Sequence, residues 1–183
     1  IKERGVAVIY SDDFGESWQV LGSPENLPSK ACDEAAVEEL PDGSILLSVR
    51  TQGKRMINTF SYSSEREAMG TWAKEAPAEG IDNVNACNGE LLIVSAMRKS
   101  DGKKYSVVLH SLPQSSERKD VGFYYKEVEA TKWEKGLRVS STSSCYSTML
   151  QLNDGSIGLL YEENGHDGNR RSEERRVGKE CRS

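Results

Sequence analysis

Two short stretches of the chain repeat one another. Leu40-Pro41-Asp42-Gly43-Ser44-Ile45 and Leu152-Asn153-Asp154-Gly155-Ser156-Ile157 share the frame L-x-D-G-S-I. Asp-Gly is a hairpin signal, because Gly tolerates the positive φ that tight turns require. Strand-like segments flank each copy. A chain that repeats a strand–turn–strand unit at wide spacing buries its faces by stacking one copy against the next. The remaining sequence agrees with this reading. Segments 6–11, 36–39, 45–50, 56–63, 91–96, 105–109, 123–128, 147–152 and 157–161 are rich in Val, Ile, Leu, Tyr and Phe and are bounded by turn residues, as strands are. Asp101-Gly102 marks a third hairpin. No long segment has helical periodicity. The predicted fold class is all-β, and the natural architecture is a β-propeller with blades of four strands. At roughly 40–50 residues per blade the chain makes about four blades, either a small complete propeller or part of a larger one.

Composition removes several classes of function. The 183 residues carry 24 Lys+Arg against 29 Asp+Glu, a net charge of −5, and the charges are interspersed. That balance argues against a nucleic-acid partner, which needs a basic footprint. The longest purely aliphatic run is Leu91-Leu92-Ile93-Val94, far short of the roughly 20 apolar residues of a membrane span. No Walker, Rossmann or zinc signature occurs, so no cofactor and no metal is implied. The end of the chain stands apart. Arg171 to Ser183 reads R-S-E-E-R-R-V-G-K-E-C-R-S, has no apolar periodicity, and resembles the translation of a sequencing-library adaptor. Residues 171–183 are therefore read as a non-native tail, with a solvated natural tail as the alternative. With Cys181 set aside, Cys32, Cys87 and Cys145 are too irregularly spaced for a metal pattern or a disulfide framework, and read as small buried apolar residues.

Ser11-Asp12-Asp13-Phe14-Gly15-Glu16-Ser17-Trp18 fits S-x-D-x-G-x-x-W. Ser11 and Asp13 suit bonds to backbone N–H groups inside a hairpin turn. Gly15 supplies positive φ, and Trp18 is placed to wedge between sheets and bury a large surface. This is an Asp-box, a motif of sialidase propellers that other propellers also carry. It makes Asp13 a turn residue and not a catalyst. Two irregular echoes, Ser63 to Trp72 and Tyr125 to Trp133, are possible blade marks.

Four further segments resemble the bacterial exo-α-sialidases (neuraminidases), in the right order across most of residues 5–163. Asp33-Glu34-Ala35-Ala36-Val37-Glu38-Glu39-Leu40-Pro41-Asp42-Gly43, ending at Arg50, is similar to the segment with a glutamate and then an arginine. Arg118 followed by Val121-Gly122-Phe123-Tyr124-Tyr125-Lys126 resembles the segment of the next arginine. Ser144-Cys145-Tyr146-Ser147-Thr148-Met149 resembles the nucleophile segment, and Leu160-Tyr161-Glu162 the closing strand with its glutamate. The family fold is a six-bladed propeller. The resemblance thus implies a partial six-bladed propeller with about four blades present, residues 1–170 being the C-terminal part of the catalytic domain.

The resemblance also implies roles. Tyr146 is the nucleophile and Glu34 its partner, taking the phenolic proton. A neutral phenol approaches the anomeric carbon of sialic acid, beside the sugar's own carboxylate, without the like-charge clash a carboxylate nucleophile would meet. Arg50 and Arg118 match two members of an arginine triad that grips that carboxylate with planar forks. Glu162 matches the glutamate that orients the first triad arginine. Arg55, Arg66 and Arg98 read as surface arginines, Glu163 as solvated, and His166 as a loop residue; His110 fits no ligand or triad pattern. The family's first triad arginine and its acid/base aspartate belong to a first blade upstream of Ile1. The implied parent is a retaining, secreted, periplasmic or cell-surface hydrolase of terminal sialic acids. The partner is a sialylated glycan, and the fragment itself has impaired turnover. A non-catalytic glycan-binding propeller, or an Asp-box propeller with no sugar site, is the alternative.

Overall fold

The computed structural model describes residues 5–30, 33–63, 70–82, 87–164 and 170–177, the last stretch and Asn164 as backbone only. Every regular element among them is a strand. In chain order these are β1 (Ile9–Tyr10), β2 (Gln19–Val20), β3 (Ala35–Glu39), β4 (Ile45–Arg50), β5 (Arg55–Tyr62), β6 (Gly70–Trp72) and β7 (Ala76–Pro77). They continue with β8 (Leu91–Met97), β9 (Lys104–Pro113), β10 (Val121–Glu127), β11 (Glu134–Arg138), β12 (Ser144–Gln151), β13 (Ile157–Asn164) and β14 (Arg170–Val177). Neighbours pair antiparallel in four sheets: the ribbon β1-β2, then β3-β4-β5-β6 with β7 also on β5, then β8-β9-β10-β11, then β12-β13-β14. Each of the last three is an up-and-down meander that begins at its first strand, which is the blade pattern of a propeller. The fold is a partial β-propeller.

Period-two alternation builds one core between each pair of sheets. On β4, Leu47 and Val49 face the ribbon and pack with Leu21, Phe60 and Trp72. Leu46, from the other face of β4, packs with Leu91, Val108, Leu112, Tyr124 and Trp133. On β9 the same division repeats. Val108 and Leu112 join that second core, while Leu109 turns to Val94, Phe123, Met149, Leu159 and Tyr161 in a third. Four sheets with three cores between them explain why no single long apolar run is needed.

The two L-x-D-G-S-I copies form the same turn. Asp42 Oδ1 accepts from Ser44 N at 2.9 Å and Ser44 Oγ at 2.6 Å, and Asp154 Oδ1 from Ser156 N at 2.9 Å and Ser156 Oγ at 2.5 Å. Gly43 and Gly155 take φ of 85° and 78°. The Asp-box turn closes likewise: Asp13 accepts from Ser11 Oγ, Ser17 N and Ser17 Oγ, and Ser11 Oγ accepts from Gly15 N at 2.8 Å. These bonds, those from Ser17 foremost, hold the Asp13 carboxyl at about 2.

Several expectations are corrected. Trp18 does not wedge between sheets; it is 61% exposed, because the ribbon that carries it has two strands among the described residues and no outer strand over that face. Trp72 and Trp133, from the irregular echoes, are the buried tryptophans, at 8% and 2% exposure. Of segment 6–11, only Ile9–Tyr10 is a strand, and Val6 makes a lone bridge to Ser29. Arg55 is not a surface arginine; it is fully buried. Arg98 is exposed and pairs with Asp101 and Glu127. Glu163 is half-buried and accepts from Ser140 Oγ at 2.9 Å and from Thr142 Oγ1. The backbone of Arg170–Val177, of which 171–177 fall in the stretch read as a tail, lies antiparallel along β13. An unpaired sheet edge offers a ladder to any extended segment that follows it. Cys87 and Cys145 are buried thiols. Cys32, Arg66, His166, Cys181 and most of the Ser63–Trp72 echo lie outside the described residues.

Candidate active site

The first strands of the three larger sheets lie side by side, β3 against β8 and β8 against β12. The candidate residues sit where these strands begin. Glu34 immediately precedes β3, and Arg50 N donates to Glu34 O at 2.9 Å, which sets Arg50 at the end of β4 beside it. Arg118 enters through the Lys119–Ser143 bridge, with Ser144 N donating to Arg118 O at 2.9 Å.

Tyr146 occupies a β-bulge. β12 and β13 pair Ser144 with Glu163 and then Ser147 with Tyr161. Cys145 and Tyr146 therefore stand opposite Glu162 alone. An extra residue in one strand bends it and re-aims a side chain. Here it lets Cys145 stay buried while Tyr146 is partly exposed.

The side chains converge. The Tyr146 hydroxyl donates to Glu34 Oε1 at 2.6 Å. Arg50 Nη1 donates to Glu34 Oε2 at 2.6 Å and lies 3.4 Å from the Tyr146 oxygen. Arg50 Nε is 3.7 Å from Asp33 Oδ2, so Asp33 is part of this charge cluster. The Arg118 guanidinium carbon is 6.0 Å from the centre of the Tyr146 ring, and Arg118 Nη1 is 3.7 Å from Cys145 Sγ. Arg50 and Arg118 thus flank one tyrosine. Glu162 lies across the bulge from it.

The electrostatics follow from these contacts. Burial alone would raise the Glu34 carboxyl, but hydrogen bonds from Tyr146 and Arg50 overcome it and hold Glu34 below its ordinary range. Tyr146 moves up, first because it donates to Glu34 and then because of burial. The proton rests on the phenol and the negative charge on the carboxylate. Among the described residues no three His, Cys, Asp or Glu side chains are grouped to hold a metal ion.

Two residues of the surroundings escaped the sequence reading. Arg55 pairs with Arg50 across the β4-β5 hairpin. It donates from Nη1 to Asn88 Oδ1 at 2.9 Å and from Nη2 to Cys87 O at 2.7 Å. Burial, then the nearby Arg50 charge, pull Arg55 down to about 10, which leaves it a cation at neutral pH. His110 is buried and neutral, driven down by burial and by Arg55. It bonds Ser48 Oγ at 2.8 Å and Glu90 O at 3.0 Å, a core role. A buried cation has no local sequence signal, because arginines at strand ends are ordinarily solvated.

Comparison with known proteins gives a consistent set of relatives. No family model matches the chain. An anhydrosialidase of Macrobdella decora is 28% identical over 167 residues, covering 85% of this chain and 21% of the relative. A sialidase of Paraclostridium sordellii is 30% identical over 178 residues, covering 87% of this chain and 40% of the relative. Among solved structures, a Trypanosoma rangeli sialidase superposes with a TM-score of 0.65 at 22% identity, covering 94% of this chain and 27% of that one. The same enzyme in complex with sialic acid superposes at 0.60. The chain spans 21–40% of the length of these curated relatives.

Proposed function

We propose that this chain, a portion of a bacterial-type sialidase domain by sequence and fold, carries the nucleophile end of a retaining exo-α-sialidase site. One observation carries the reading: a phenol, Tyr146, hydrogen-bonded at 2.6 Å to a carboxylate, Glu34, and flanked by two guanidinium groups.

The chemistry runs as follows. Arg50 and Arg118 bind the carboxylate on the anomeric carbon of sialic acid, for which planar forks are suited. Tyr146 Oη attacks that carbon, its proton passes to Glu34, and the glycosidic C–O bond breaks. The ordinary phenol pKa near 10 makes free tyrosine a poor nucleophile at neutral pH. The base beside it removes the proton as the new bond forms. Water then attacks the tyrosyl-sialoside and gives its proton to the group that protonated the leaving oxygen; the bond from the anomeric carbon to Tyr146 Oη breaks as Glu34 returns the phenolic proton, and the anomeric configuration is retained overall. The leaving oxygen needs an acid. The family's acid/base aspartate and first triad arginine are assigned to sequence upstream of Ile1, and Glu162 to orienting that arginine. The parent is a secreted, periplasmic or cell-surface hydrolase of terminal sialic acids on glycans. This chain alone turns over natural sialosides poorly. Residues 1–170 are the propeller portion and 171–183 a non-native tail.

The test uses an aryl sialoside with a good leaving group, which depends little on the missing acid. The chain releases the aryl group slowly, Tyr146→Phe abolishes release, and both bind free sialic acid alike. Equal sialic-acid binding with no release by either protein would instead assign the site to a glycan-binding propeller. No binding by either would remove the sugar site altogether.

A further inference from the structure

The base and the nucleophile come from different sheets, and their 2.6 Å contact needs the starts of β3 and β12 held at a fixed separation. A residue between them bridges the two backbones. Asn88, just before β8, donates from Nδ2 to the carbonyl of Ala35, the residue after Glu34, at 3.4 Å. Its own carbonyl accepts from the backbone N–H of Ser147, the residue after Tyr146, at 3.4 Å. Its side-chain oxygen is gripped by the buried Arg55 at 2.9 Å, and Arg55 also fixes the preceding carbonyl, Cys87 O, at 2.7 Å. The segment after Asn88 is wedged in place. A Cβ on Gly89 would fall 1.6 Å from Ser111 O and 2.8 Å from Ser147 Oγ. Glu90 N donates to Ser111 Oγ at 3.0 Å, and Ser147 Oγ donates to Ser111 Oγ at 2.9 Å.

We infer that Asn88, oriented by Arg55, is a positioning residue that sets the Tyr146–Glu34 contact. The role rests on the sialidase reading for its purpose, though not for its geometry. The amide of Asn88 accepts from the guanidinium through its oxygen and donates to the strand carbonyl through its nitrogen at once. Arg55, a cation at neutral pH, contributes a rigid planar fork that fixes which way that amide faces. Misplacing a reacting group by about 1 Å costs on the order of 10²-fold in rate, so such a tie is functionally worth having.

The experiment labels tyrosine ζ-carbons with 13C in the full chain and follows the Tyr146 signal through an alkaline titration, with thermal unfolding measured in parallel. Tyr146→Phe assigns the signal. In the parent chain Tyr146 titrates above the ordinary tyrosine range, chiefly through its bond to Glu34. In Asn88→Ala, and in Asn88→Ser, that bond loosens and the Tyr146 acid dissociation constant rises at least threefold. A variant that melts earlier yet keeps this constant within twofold shows Asn88 to be a packing residue and overturns the inference. Failure of both variants to fold overturns it too, because folding and not positioning would then be the role of Asn88. Sialic-acid binding is scored separately. A chain that retunes Tyr146 but binds no sialic acid keeps the positioning role and loses the sialidase reading. A chain that binds sialic acid while Tyr146 ignores Asn88 does the reverse.

Discussion

Tyr146 and Glu34 are 112 positions apart in the chain, yet the Tyr146 hydroxyl donates to Glu34 Oε1 across 2.6 Å. The contact joins the first strand of one sheet to the loop before the first strand of another, with a complete sheet between them in the chain. It also makes both groups report on folding. Glu34 is held below its ordinary range and Tyr146 above its own.

Opposite shifts on one hydrogen bond give a plateau in pH. A carboxyl with a depressed folded pKa stabilises the fold above its unfolded value, 4.5, and loses that contribution as pH falls through the folded value. A phenol with a raised folded pKa stabilises below its unfolded value, 10.0, and loses the contribution as pH climbs through the folded one. The stability difference between the parent chain and Tyr146→Phe is therefore flat from about pH 5 to pH 10 and shrinks on both sides. Its plateau is about 1 kcal/mol, since a hydrogen bond to a charged group contributes roughly 1.5–3 kcal/mol and partial exposure screens it. Thermal unfolding of both proteins across pH 3–12 checks this, and a difference that rises toward pH 3 would contradict it.

The buried guanidinium of Arg55 is expected to dominate local stability. Arg55→Met keeps an unbranched apolar stem and removes the charged fork, but leaves Asn88 Oδ1 and Cys87 O without their donor. Orphaning buried acceptors costs about 1–3 kcal/mol each, so the variant loses about 3 kcal/mol. Arg98→Met, at an exposed ion pair, loses far less, because solvent screens that pair. Urea denaturation of the two variants side by side decides whether burial or mere charge sets the effect.

Those two arginines also mark what the sequence can and cannot reveal. The strands β4 and β9 are legible because their apolar residues serve a core on each face. The turns at Asp42 and Asp154 are legible because the same side chain closes both. The strands β6, β7 and β11 are not. β11, Glu134–Arg138, has no apolar alternation and is a strand only because β10 offers it a ladder. The site divides the same way. Glu34, Arg50, Arg118 and Tyr146 stand in segments whose neighbours resemble a family. Arg55 and Asn88 matter through contacts with Cys87, Ala35 and Ser147, which only the stacking of three sheets creates. Trp18 failed in the opposite sense: its motif fits, but the ribbon that carries it has two strands among the described residues and no outer strand to cover the indole.

The Asp-box turn should behave as a local unit. Asp13 collects three donors in the β1-β2 hairpin and titrates at about 2. Asp13→Ala frees the Ser17 amide and the Ser11 and Ser17 hydroxyls to water. Hydrogen exchange of Gly15, Ser17 and Gln19 then accelerates toward that of a frayed ribbon, while the alkaline titration of Tyr146 stays where it was. A changed Tyr146 titration would mean that the ribbon communicates with the site.

Two glycines separate backbone strain from steric exclusion. Gly43 and Gly80 have nearly the same φ, 85° and 89°. A Cβ on Gly43 would meet nothing within 4 Å, whereas one on Gly80 would lie 2.1 Å from Trp133 O. Trp133 N donates to Glu79 O at 2.8 Å, so this close approach ties the loop after β7 to the sheet of β8–β11. Gly43→Ala pays the left-handed conformation alone, about 1–2 kcal/mol. Gly80→Ala adds the displacement of a backbone carbonyl that helps seat the fully packed Trp133, for a total of about 3 kcal/mol or more. Its effect also spreads. Trp133 belongs to the core shared by two sheets, so its fluorescence shifts toward that of a solvated indole in Gly80→Ala and is unchanged in Gly43→Ala. Equal losses of stability in the two variants would show that the sheets yield easily at this seam and that the 2.1 Å approach is not a constraint.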